Sequence, residues 1–431
     1  MTGQNHDKIV LAICRSLRAG DNRVAIPPEG IARLKAAAWD NGKQRTQLRV
    51  LVQQDAGARS GYSDEEYTKA GAEIVGLRAI MRRAHILVDV KQRKAEYILP
   101  DGVNIFYAHV EKGQAPDYLR ELLSLGSATL YSPETIFIPT QDGQECRGVN
   151  LGYWAGVGAV HLAFEGIRIS NEQRGIERGP FASFPEVATS EIDDINDAYV
   201  RFTDDERQTK VAIIGSERGL VASGALYEFD RAHLEPVMLG RSVTSSPERL
   251  AEALGFFDAI INASQWYPGE PRIITRRQIA AMREGAVFID ATCDADGSSR
   301  GVSEGNPVVG GVRWSVESKW TDPHLFYWVG LDEHTADNAE PAVRTSTDLR
   351  VLYSANGMIP GGRSTARAAS RAYAEMLFPY LVNIIRAVSM EVELPSPGLV
   401  LRRGSVVHPG LRDIIKTNEQ FADLRQHCRT K

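Results

Sequence analysis

Residues 211–226 read VAIIGSERGLVASGAL, and this stretch joins the pattern of a buried strand, a turn with glycines and the start of a helix. An unbroken run of valine, alanine and isoleucine is typical of a strand that is buried on both faces of a parallel sheet. Glycines in the following turn let backbone N–H groups at the helix start reach a phosphate. The stretch therefore predicts an α/β domain with a dinucleotide site at Gly215, Ser216, Gly219 and Gly224.

The glycines of this turn do not have the G-x-G-x-x-G spacing of a regular dinucleotide fingerprint. Ser216 replaces the second position, and Glu217 and Arg218 lie in the turn. Glu217 would repel a pyrophosphate unless its side chain turns away from it. Taken alone, the motif fits a plain strand–turn–helix connection as well as it fits a cofactor site.

The end of the next strand pattern, residues 237–239, bears on the choice of cofactor. An acidic residue there would hydrogen-bond the ribose 2′-hydroxyl of NAD, whereas this chain has Gly240, Arg241 and Ser242. An arginine at this place can pair with the 2′-phosphate of NADP. We therefore expect NADP or NAD as the cofactor, with NADP favoured through Arg241; the alternative is an arginine in a solvated loop.

The same alternation of apolar runs and helical patterns extends over most of the chain. Candidate strands lie at residues 8–14, 48–52, 85–90, 103–108, 128–131, 211–215, 237–239, 259–262 and 286–289. This order predicts an α/β fold with two doubly wound, Rossmann-like parallel-sheet domains and an active-site cleft between them. We expect residues 1–148 plus 358–431 to form the substrate domain and residues 149–357 to bind the dinucleotide. Residues 364–389 show a long helical pattern, which Pro379 is expected to interrupt.

Composition and charge exclude several classes of protein. The 431 residues carry a formal net charge of −5, so no overall positive field would attract nucleic acid or an anionic membrane. No apolar run approaches the ~20 residues of a membrane span, and residues 1–7 lack an apolar signal core. The cysteines have neither metal-site nor disulfide spacing; they are Cys14, Cys146, Cys293 and Cys428. We therefore expect a cytoplasmic protein with no bound metal and no nucleic-acid or membrane partner.

Titratable residues follow several of the predicted strands at their carboxyl ends. Lys91, His109 and Glu134 come after strands of the first domain, and Asp290 comes after a strand of the second. Ligands of open α/β sheets bind beyond the carboxyl ends of the strands, so these residues predict a site there. Any one of them alone is more simply explained as a solvated or hydrogen-bonded structural residue, as we expect for His161 within an apolar helical run.

Short motifs resemble the alanine dehydrogenase and transhydrogenase superfamily. Residues 21–30, DNRVAIPPEG, look like the opening segment of that superfamily. The stretch FYAHVEKGQ at residues 106–114 is similar to a motif of the saccharopine dehydrogenases that form lysine. Further matches to that branch lie at residues 129–134, 147–149, 152–156 and 288–294. The similarity extends over most of the chain and is strong only in these motifs.

The resemblance implies a two-domain enzyme that oxidises the secondary amine of saccharopine, or of a related N-carboxyalkyl amino acid, to an imine. Water then adds, and the carbinolamine breaks down to an amino acid and an oxo acid; the reverse reaction is a reductive amination. By motif, Lys91 and His109 would be the acid–base pair. Arg23 and Arg147 would bind carboxylates of the amino acid substrate, and Glu134 would recognise an amino group or tune nearby cations.

General chemistry agrees with these implied roles. Hydride leaves a carbon next to nitrogen only when the amine is neutral, so a base must lie near it. A lysine among other cations can have a lowered pKa and act as that base. Asp294, in the FIDATCD motif, completes the expected cofactor-binding residues. Residues 310–340 are rich in tryptophan and histidine, do not match the family, and would shape a different substrate pocket.

Two other functions stay open. One is an amino acid dehydrogenase that uses ammonia, like alanine dehydrogenase; the Lys112, Gln114 and Glu134 matches argue against it, since they belong to the branch with larger substrates. A relative without turnover that only binds a dinucleotide would explain the altered glycine turn. The chain retains a full set of the expected residues, which argues against that loss: Lys91, His109, Arg23, Arg147 and Asp294.

Overall fold

The computed structural model contains two compact units. Met1–Asn150 with Ala366–Lys431 form the first unit, and Leu151–Thr365 forms the second. The structure describes residues 8–17, 21–38, 47–113, 116–140, 142–264, 273–274, 278, 281–291, 327–329, 340–341, 351–355 and 363–428. Gln114, Cys293, Asp294 and most of residues 310–340 therefore lie outside the described residues.

Strands and helices alternate along the chain, as is typical of an α/β protein. The strands are β1 (Lys8–Ile13), β2 (Gln47–Gln53), β3 (Glu73–Val75), β4 (Ile86–Lys91), β5 (Val103–Tyr107), β6 (Thr129–Tyr131), β7 (Phe137–Pro139), β8 (Glu145–Arg147), β9 (Val211–Ile214), β10 (Val237–Leu239), β11 (Ala259–Asn262), β12 (Ala286–Asp290), β13 (Tyr327–Val329), β14 (Glu340–Pro341), β15 (Val351–Ala355), β16 (Leu399–Arg402) and β17 (Ser405–Val406). The α-helices are α1 (Pro28–Ala38), α2 (Asp64–Lys69), α3 (Leu77–Arg83), α4 (Pro116–Ser124), α5 (Gly152–Gln173), α6 (Ile192–Val200), α7 (Asp204–Arg207), α8 (Leu220–Arg231), α9 (Arg241–Thr244), α10 (Pro247–Leu254), α11 (Arg363–Ser389) and α12 (Pro409–Thr417). None of the described helices is both long enough and apolar enough to cross a membrane.

The first unit is built on a sheet whose described strands run in the order β17–β16–β6–β5–β4–β1–β2–β3. The strands from β6 to β3 are parallel, and β16 and β17 are antiparallel additions beside β6. From β1 the chain goes outwards to β3 and then returns to β4 on the other side of β1. Such a reversal is where open α/β sheets bind ligands, beyond the carboxyl ends of the strands.

The burial of the central strands explains why they form this sheet. All residues of β4 and β5 are buried except Lys91, which is half-buried at the end of β4. Buried residues such as Leu87 and Phe106 belong to apolar clusters that include side chains of the covering helices, among them Ile80 and Leu411. Each such side chain contributes about 1.5–3 kcal/mol on burial, which holds the carboxyl edge of the sheet in place.

The second unit has its own sheet, with described strands in the order β10–β9–β11–β12–β15–β13–β14. The strands from β10 to β15 are parallel, and β13 and β14 are antiparallel. β9 is fully buried, and the chain continues through Gly215 and Gly219 into α8. The strand, turn and helix thus follow the course predicted from residues 211–226. Two Rossmann-like parallel-sheet units confirm the predicted fold class.

Two details of the sequence interpretation are wrong. Helix α11 continues through Pro379, because buried residues on both sides of it, such as Leu377 and Leu381, hold the helix in the core. Lys91 and Asp290, both expected just after a strand, are instead the last residues of β4 and β12, and Asp290 is buried. Its carboxylate accepts a hydrogen bond from Asn262 Nδ2 at 2.9 Å, which is why a charged residue can end a buried strand.

Candidate active site

Lys91 and His109 lie beside each other at the carboxyl edge of the first sheet. Lys91 ends β4 and pairs with Tyr107, which ends β5 two residues before His109. Parallel pairing of neighbouring strands therefore brings the two exits together. The Lys91 Nζ and His109 Nε2 atoms are 3.3 Å apart, close enough for a proton to pass between them.

The backbone of His109 is unusual for a residue other than glycine. Its φ is 62°, in the left-handed region, at the start of the 3₁₀ turn Val110–Lys112. This conformation costs about 1–3 kcal/mol and persists only where the surroundings hold it. The imidazole is held on both sides, by Lys91 at Nε2 and by Glu134 Oε2, which is 2.8 Å from Nδ1. The contact with the carboxylate favours a proton on Nδ1 and leaves Nε2 to face the lysine.

Glu134 joins the histidine to a cation on the β7–β8 hairpin. It lies in the 3₁₀ turn Pro133–Thr135 after β6 and is buried. Its Oε1 atom accepts a hydrogen bond from Nη1 of Arg147, the last residue of β8, at 3.4 Å. The Arg147 side chain is 35% exposed and so can reach a small anion. Lys91, His109, Glu134 and Arg147 therefore form one connected group, the Lys91 cluster.

Aromatic rings form one wall of the Lys91 cluster. The Tyr107 ring stacks on His109 with centroids 6.5 Å apart, and Lys91 Nζ lies 5.5 Å from the Tyr107 centroid. The buried Tyr107 hydroxyl donates to Val149 O at 3.2 Å. Burial, and then the nearby Glu134 carboxylate, raises the pKa of Tyr107 well above its ordinary value. The phenol therefore stays neutral and does not compete with Lys91 or His109 for protons.

Arg23 lies after β1 in a different setting from the one predicted. It is buried, and it donates from Nε and Nη2 to the Asp21 carboxylate at 2.8 and 2.7 Å. Burial disfavours the charge, but Asp21 outweighs that effect and raises the pKa of Arg23. The expected contact of Arg23 with a substrate carboxylate is therefore restricted, because Asp21 already accepts from Nε and Nη2 of the guanidinium. Its Nη1 atom is buried without a protein partner among the described residues and is the donor left for a ligand.

The glycine turn of the second unit has the backbone that a phosphate loop requires. Gly215 has a φ of 149°, and a Cβ atom there would lie 3.2 Å from Ala263 O. Gly219 is the N-cap of α8, and its N–H donates to Ser216 O at 2.8 Å. Ser216 and Glu217 are exposed. A tight turn at the start of a helix fits a pyrophosphate.

Gly224 and Arg241 occupy other places in the same unit. A Cβ atom on Gly224 would lie 1.9 Å from Tyr153 O, so close packing of α5 on α8 explains this glycine without a cofactor. Arg241 is exposed at the start of α9, directly after β10. This place suits contact with a 2′-phosphate, and its role stays a prediction. The cofactor role expected for Asp294 falls outside the described residues.

Two residues without a role assigned from the sequence complete the surroundings of Glu134. Glu111, in the 3₁₀ turn after His109, is buried, and its Oε1 atom accepts a hydrogen bond from Ser132 Oγ at 2.7 Å. Burial, and then the Glu134 carboxylate, raises the pKa of Glu111 well above its ordinary value. An acidic residue in a turn usually faces solvent, so the residue type gave no reason to expect that Glu111 is buried at this site. Its place two residues after His109, at the same strand exit, was the available signal.

Residues 12–157 match the family described as alanine dehydrogenase/PNT, N-terminal domain. This segment contains Arg23 and the whole Lys91 cluster. A curated protein named alanine dehydrogenase 1 from Staphylococcus aureus (strain bovine RF122 / ET3-1) is 26% identical over 299 residues. The aligned part covers 67% of this chain and 74% of that protein.

Solved structures with a similar fold cover nearly the whole chain. An L-alanine dehydrogenase superposes with a TM-score of 0.63 at 18% identity, over 96% of this chain and 100% of that one. A transhydrogenase from Sinorhizobium meliloti superposes with a TM-score of 0.58 at 18% identity, over 93% and 99% of the two chains. At such identity the likeness concerns the fold.

Proposed function

We propose that the chain is a nicotinamide-dependent oxidoreductase of the alanine dehydrogenase/PNT superfamily that acts on the C–N bond of an amino acid; the match of residues 12–157 to the N-terminal domain of that family supports this. The observation that carries this proposal is the 3.3 Å contact between Lys91 Nζ and His109 Nε2, with Glu134 behind the histidine. A lysine–histidine–carboxylate chain at adjoining strand exits can take up a substrate proton and hold it. The nicotinamide would accept or return the hydride at the carbon that carries nitrogen.

Lys91 is the base for the substrate amine. Hydride can leave only when the amine is neutral, so Lys91 in its neutral form takes the ammonium proton of the substrate at Nζ. His109 can receive that proton at Nε2, and the Glu134 carboxylate at Nδ1 stabilises the resulting imidazolium. The same imidazole can assist the addition of water to the imine and the breakdown of the carbinolamine. In the reverse reaction the proton returns along the same atoms.

Arginine side chains of the first unit bind the substrate carboxylate. Arg147 is partly exposed beside Glu134, and Nη1 of Arg23 is a buried donor without a protein partner among the described residues. Donors that are already oriented by Glu134 and Asp21 lose little entropy when a carboxylate binds. Positioning by these groups holds the substrate amine within reach of Lys91.

The second unit binds the dinucleotide. Gly215 and Gly219 form the tight turn, and Ser216 lies exposed within it, so these residues would hold the pyrophosphate at the start of α8. Gly224 supports them by letting α8 approach α5. Arg241, exposed after β10, favours NADP over NAD.

The substrate is the finer part of the proposal. A small amino acid with a primary amine is the first candidate, because the relatives reported above are named alanine dehydrogenases. The saccharopine branch expected from the short motifs stays a prediction. A secondary-amine diacid is the second candidate, favoured because Arg23 and Arg147 offer two guanidinium groups, more than a single carboxylate requires.

The experiment measures absorbance at 340 nm with purified protein, NAD or NADP, and a substrate panel of L-alanine, saccharopine and other secondary-amine diacids. We expect reduction of the cofactor with one substrate class, and a loss of about 100-fold or more in kcat/KM in Lys91→Met. The control is Lys94→Met, which removes a nearby exposed lysine and should leave kcat/KM within about two-fold. The better cofactor of the two tests Arg241.

The substrate panel also separates the candidates. Turnover of L-alanine alone would support the primary-amine candidate, and turnover of saccharopine would support the second. Equal losses in Lys91→Met and Lys94→Met would remove Lys91 from the chemistry. An absence of both turnover and nucleotide binding would contradict the enzyme proposal and leave a relative without catalysis.

A further inference from the structure

Asn262 is a buried amide at the carboxyl end of β11 to which the proposed chemistry gives no role. Its Nδ2 atom donates to Asp290 Oδ1 at 2.9 Å, and both side chains are buried. Asn262 stands opposite Asp290 on β12 and opposite Ile214 on β9, in parallel pairing with both strands. The amide therefore lies at the edge of the second sheet where the glycine turn begins, one residue after Ile214.

The oxygen of the same amide holds the first residues after β11. Asn262 Oδ1 accepts hydrogen bonds from Ser264 N at 3.2 Å and from Ser264 Oγ at 2.5 Å. An asparagine side chain that bonds the backbone two residues later closes an Asx turn, which restricts the conformation of the residue between them. Asp290 thus orients Asn262, and Asn262 in turn fixes the course of residues 263–264.

Ala263, the residue inside this Asx turn, lies against the glycine turn. Its N–H donates to Ile214 O at 2.8 Å, and its carbonyl oxygen is 3.2 Å from the place that a Cβ atom on Gly215 would take. On the side of β10, the N–H of Gly215 donates to Leu239 O at 3.2 Å. Gly215 is therefore enclosed between the ends of β10 and β11, and a shift of Ala263 changes the space in which the glycine lies.

We propose that Asn262 is a positioning residue for the dinucleotide. Through Ser264 and Ala263 it holds the glycine turn in the conformation that receives the pyrophosphate, and Asp290 holds Asn262 in place. The proposal rests on the proposed function of the second unit. Backbone N–H groups bind phosphate tightly when they are oriented beforehand, because ordering them during binding would lower the affinity. Asn262 takes no part in proton or hydride transfer.

The alternative is that the amide serves the stability of the sheet alone, and Ser170 offers a matched comparison. Ser170 is buried in α5, and its hydroxyl donates to Gly285 O at 2.6 Å. Gly285 directly precedes β12, so this contact lies at the amino edge of the same sheet, opposite to the glycine turn. Loss of either contact should lower the free energy of unfolding, whereas loss of the Asn262 contacts should also change the glycine turn.

The first measurement is hydrogen exchange of the full-length protein without nucleotide, followed by mass spectrometry of the peptides that contain Gly215 and Ala263. In Asn262→Leu we expect these peptides to exchange about 10-fold faster, because the Asx turn no longer holds Ala263 against the glycine turn. In Ser170→Ala the same peptides should exchange within about two-fold of the wild type.

The second measurement is the Kd of NADPH and of NADH, from titration of their fluorescence. For the nucleotide that binds more tightly, Kd should rise about 10-fold in Asn262→Leu and about 3-fold in Ser264→Ala, which loses one of the two contacts to Oδ1. Ser264→Thr keeps the hydroxyl and Ser170→Ala leaves the turn intact, so both should bind within about two-fold of the wild type. Because Ser264 acts through Asn262, the double variant should bind no more weakly than Asn262→Leu alone.

Every other outcome counts against the proposal. Wild-type exchange and Kd in both Asn262→Leu and Ser264→Ala would overturn it, and Ser264→Ala supplies that test even if Asn262→Leu does not fold. Equal effects in Ser170→Ala would reduce Asn262 to a role in stability. Additive losses in the double variant would mean that Ser264 itself touches the nucleotide. If the wild type binds neither nucleotide, the proposed function fails, whereas faster exchange in Asn262→Leu would still show that Asn262 holds the turn.

Discussion

The protein contains two histidine–glutamate pairs of nearly equal length in very different surroundings. His109 Nδ1 is 2.8 Å from Glu134 in the first unit, and His161 Nε2 is 2.9 Å from Glu228 in the second. The His109 side chain is 18% exposed and its second nitrogen faces Lys91, whereas the His161 side chain is fully buried and its second nitrogen meets Ser364 Oγ at 2.9 Å. The pair itself therefore says little about function.

The partners of each glutamate explain the difference. Glu228 accepts hydrogen bonds from His161, from the Tyr199 hydroxyl at 2.8 Å and from Arg231 Nη1 at 2.9 Å, all within the second unit. This network joins helices α5, α6 and α8 and leaves no nitrogen of His161 for a ligand. Glu134 instead shares its charge with a partly exposed arginine and a histidine next to a lysine. We infer that the first pair serves chemistry and the second serves stability.

Replacing each histidine by leucine should give the largest effects and tests that contrast directly. In His161→Leu the buried Glu228 and Ser364 lose a partner, so the free energy of unfolding should fall by about 3–5 kcal/mol. In His109→Leu the fall in the free energy of unfolding should be smaller, because the His109 side chain is 18% exposed, while kcat/KM falls about 100-fold or more. Chemical denaturation and the assay at 340 nm measure the two effects. Equal destabilisation by both variants would abolish the distinction between the pairs.

The pH dependence of the free energy of unfolding gives a second test of the comparison, and its expected effect is somewhat smaller. Burial by itself would raise the pKa of Glu228, but its contacts with His161, Tyr199 and Arg231 outweigh burial and lower the pKa from 4.5 to about 2. A carboxyl group with a depressed folded-state pKa stabilises the protein above pH 4.5, and that stability is lost as the pH falls towards 2. The loss should amount to about 3 kcal/mol for this group.

The matching measurement is a series of denaturation curves between pH 6 and pH 2 for the wild type and Glu228→Gln. The variant should be less stable at neutral pH and should lose less of its remaining stability on acidification. Parallel pH dependences for the two proteins would show that Glu228 does not carry the expected charge.

A third test changes the contact between α5 and α8, the helices that carry His161 and Glu228. Its expected effect on stability is smaller. Gly224→Ala would place a Cβ atom 1.9 Å from Tyr153 O and push α8 from α5, so we expect a loss of about 1–3 kcal/mol. Gly240→Ala is the matched control in the same unit, because no atom lies within 4 Å of its added Cβ and its φ is −81°. Thermal unfolding compares the two. A Gly240→Ala protein as unstable as Gly224→Ala would mean that helix contact is not the cause.

Particular residues show how far sequence reasoning reached. Lys91 and His109 were found because each stands at the carboxyl end of an apolar strand, and neighbouring parallel strands have to end at the same edge. The setting of Arg23 was not found, because its bidentate contact with Asp21 depends on a loop conformation that no pattern specifies. Glu111 was missed for the same reason, since burial in a short turn is decided by the strands around it.

The sequence by itself determined the α/β class, the strand–turn–helix segment of residues 211–226 and the positions of Lys91, His109 and Glu134 at strand exits. These features follow from local patterns of apolar residues, which the chain carries without reference to distant segments. The tertiary structure alone decided that Arg147 meets Glu134, that Glu111 is buried against Ser132, and that Gly224 serves helix packing. Such contacts depend on strand order and on distances of a few ångströms between segments, and these arise only when the sheet is assembled.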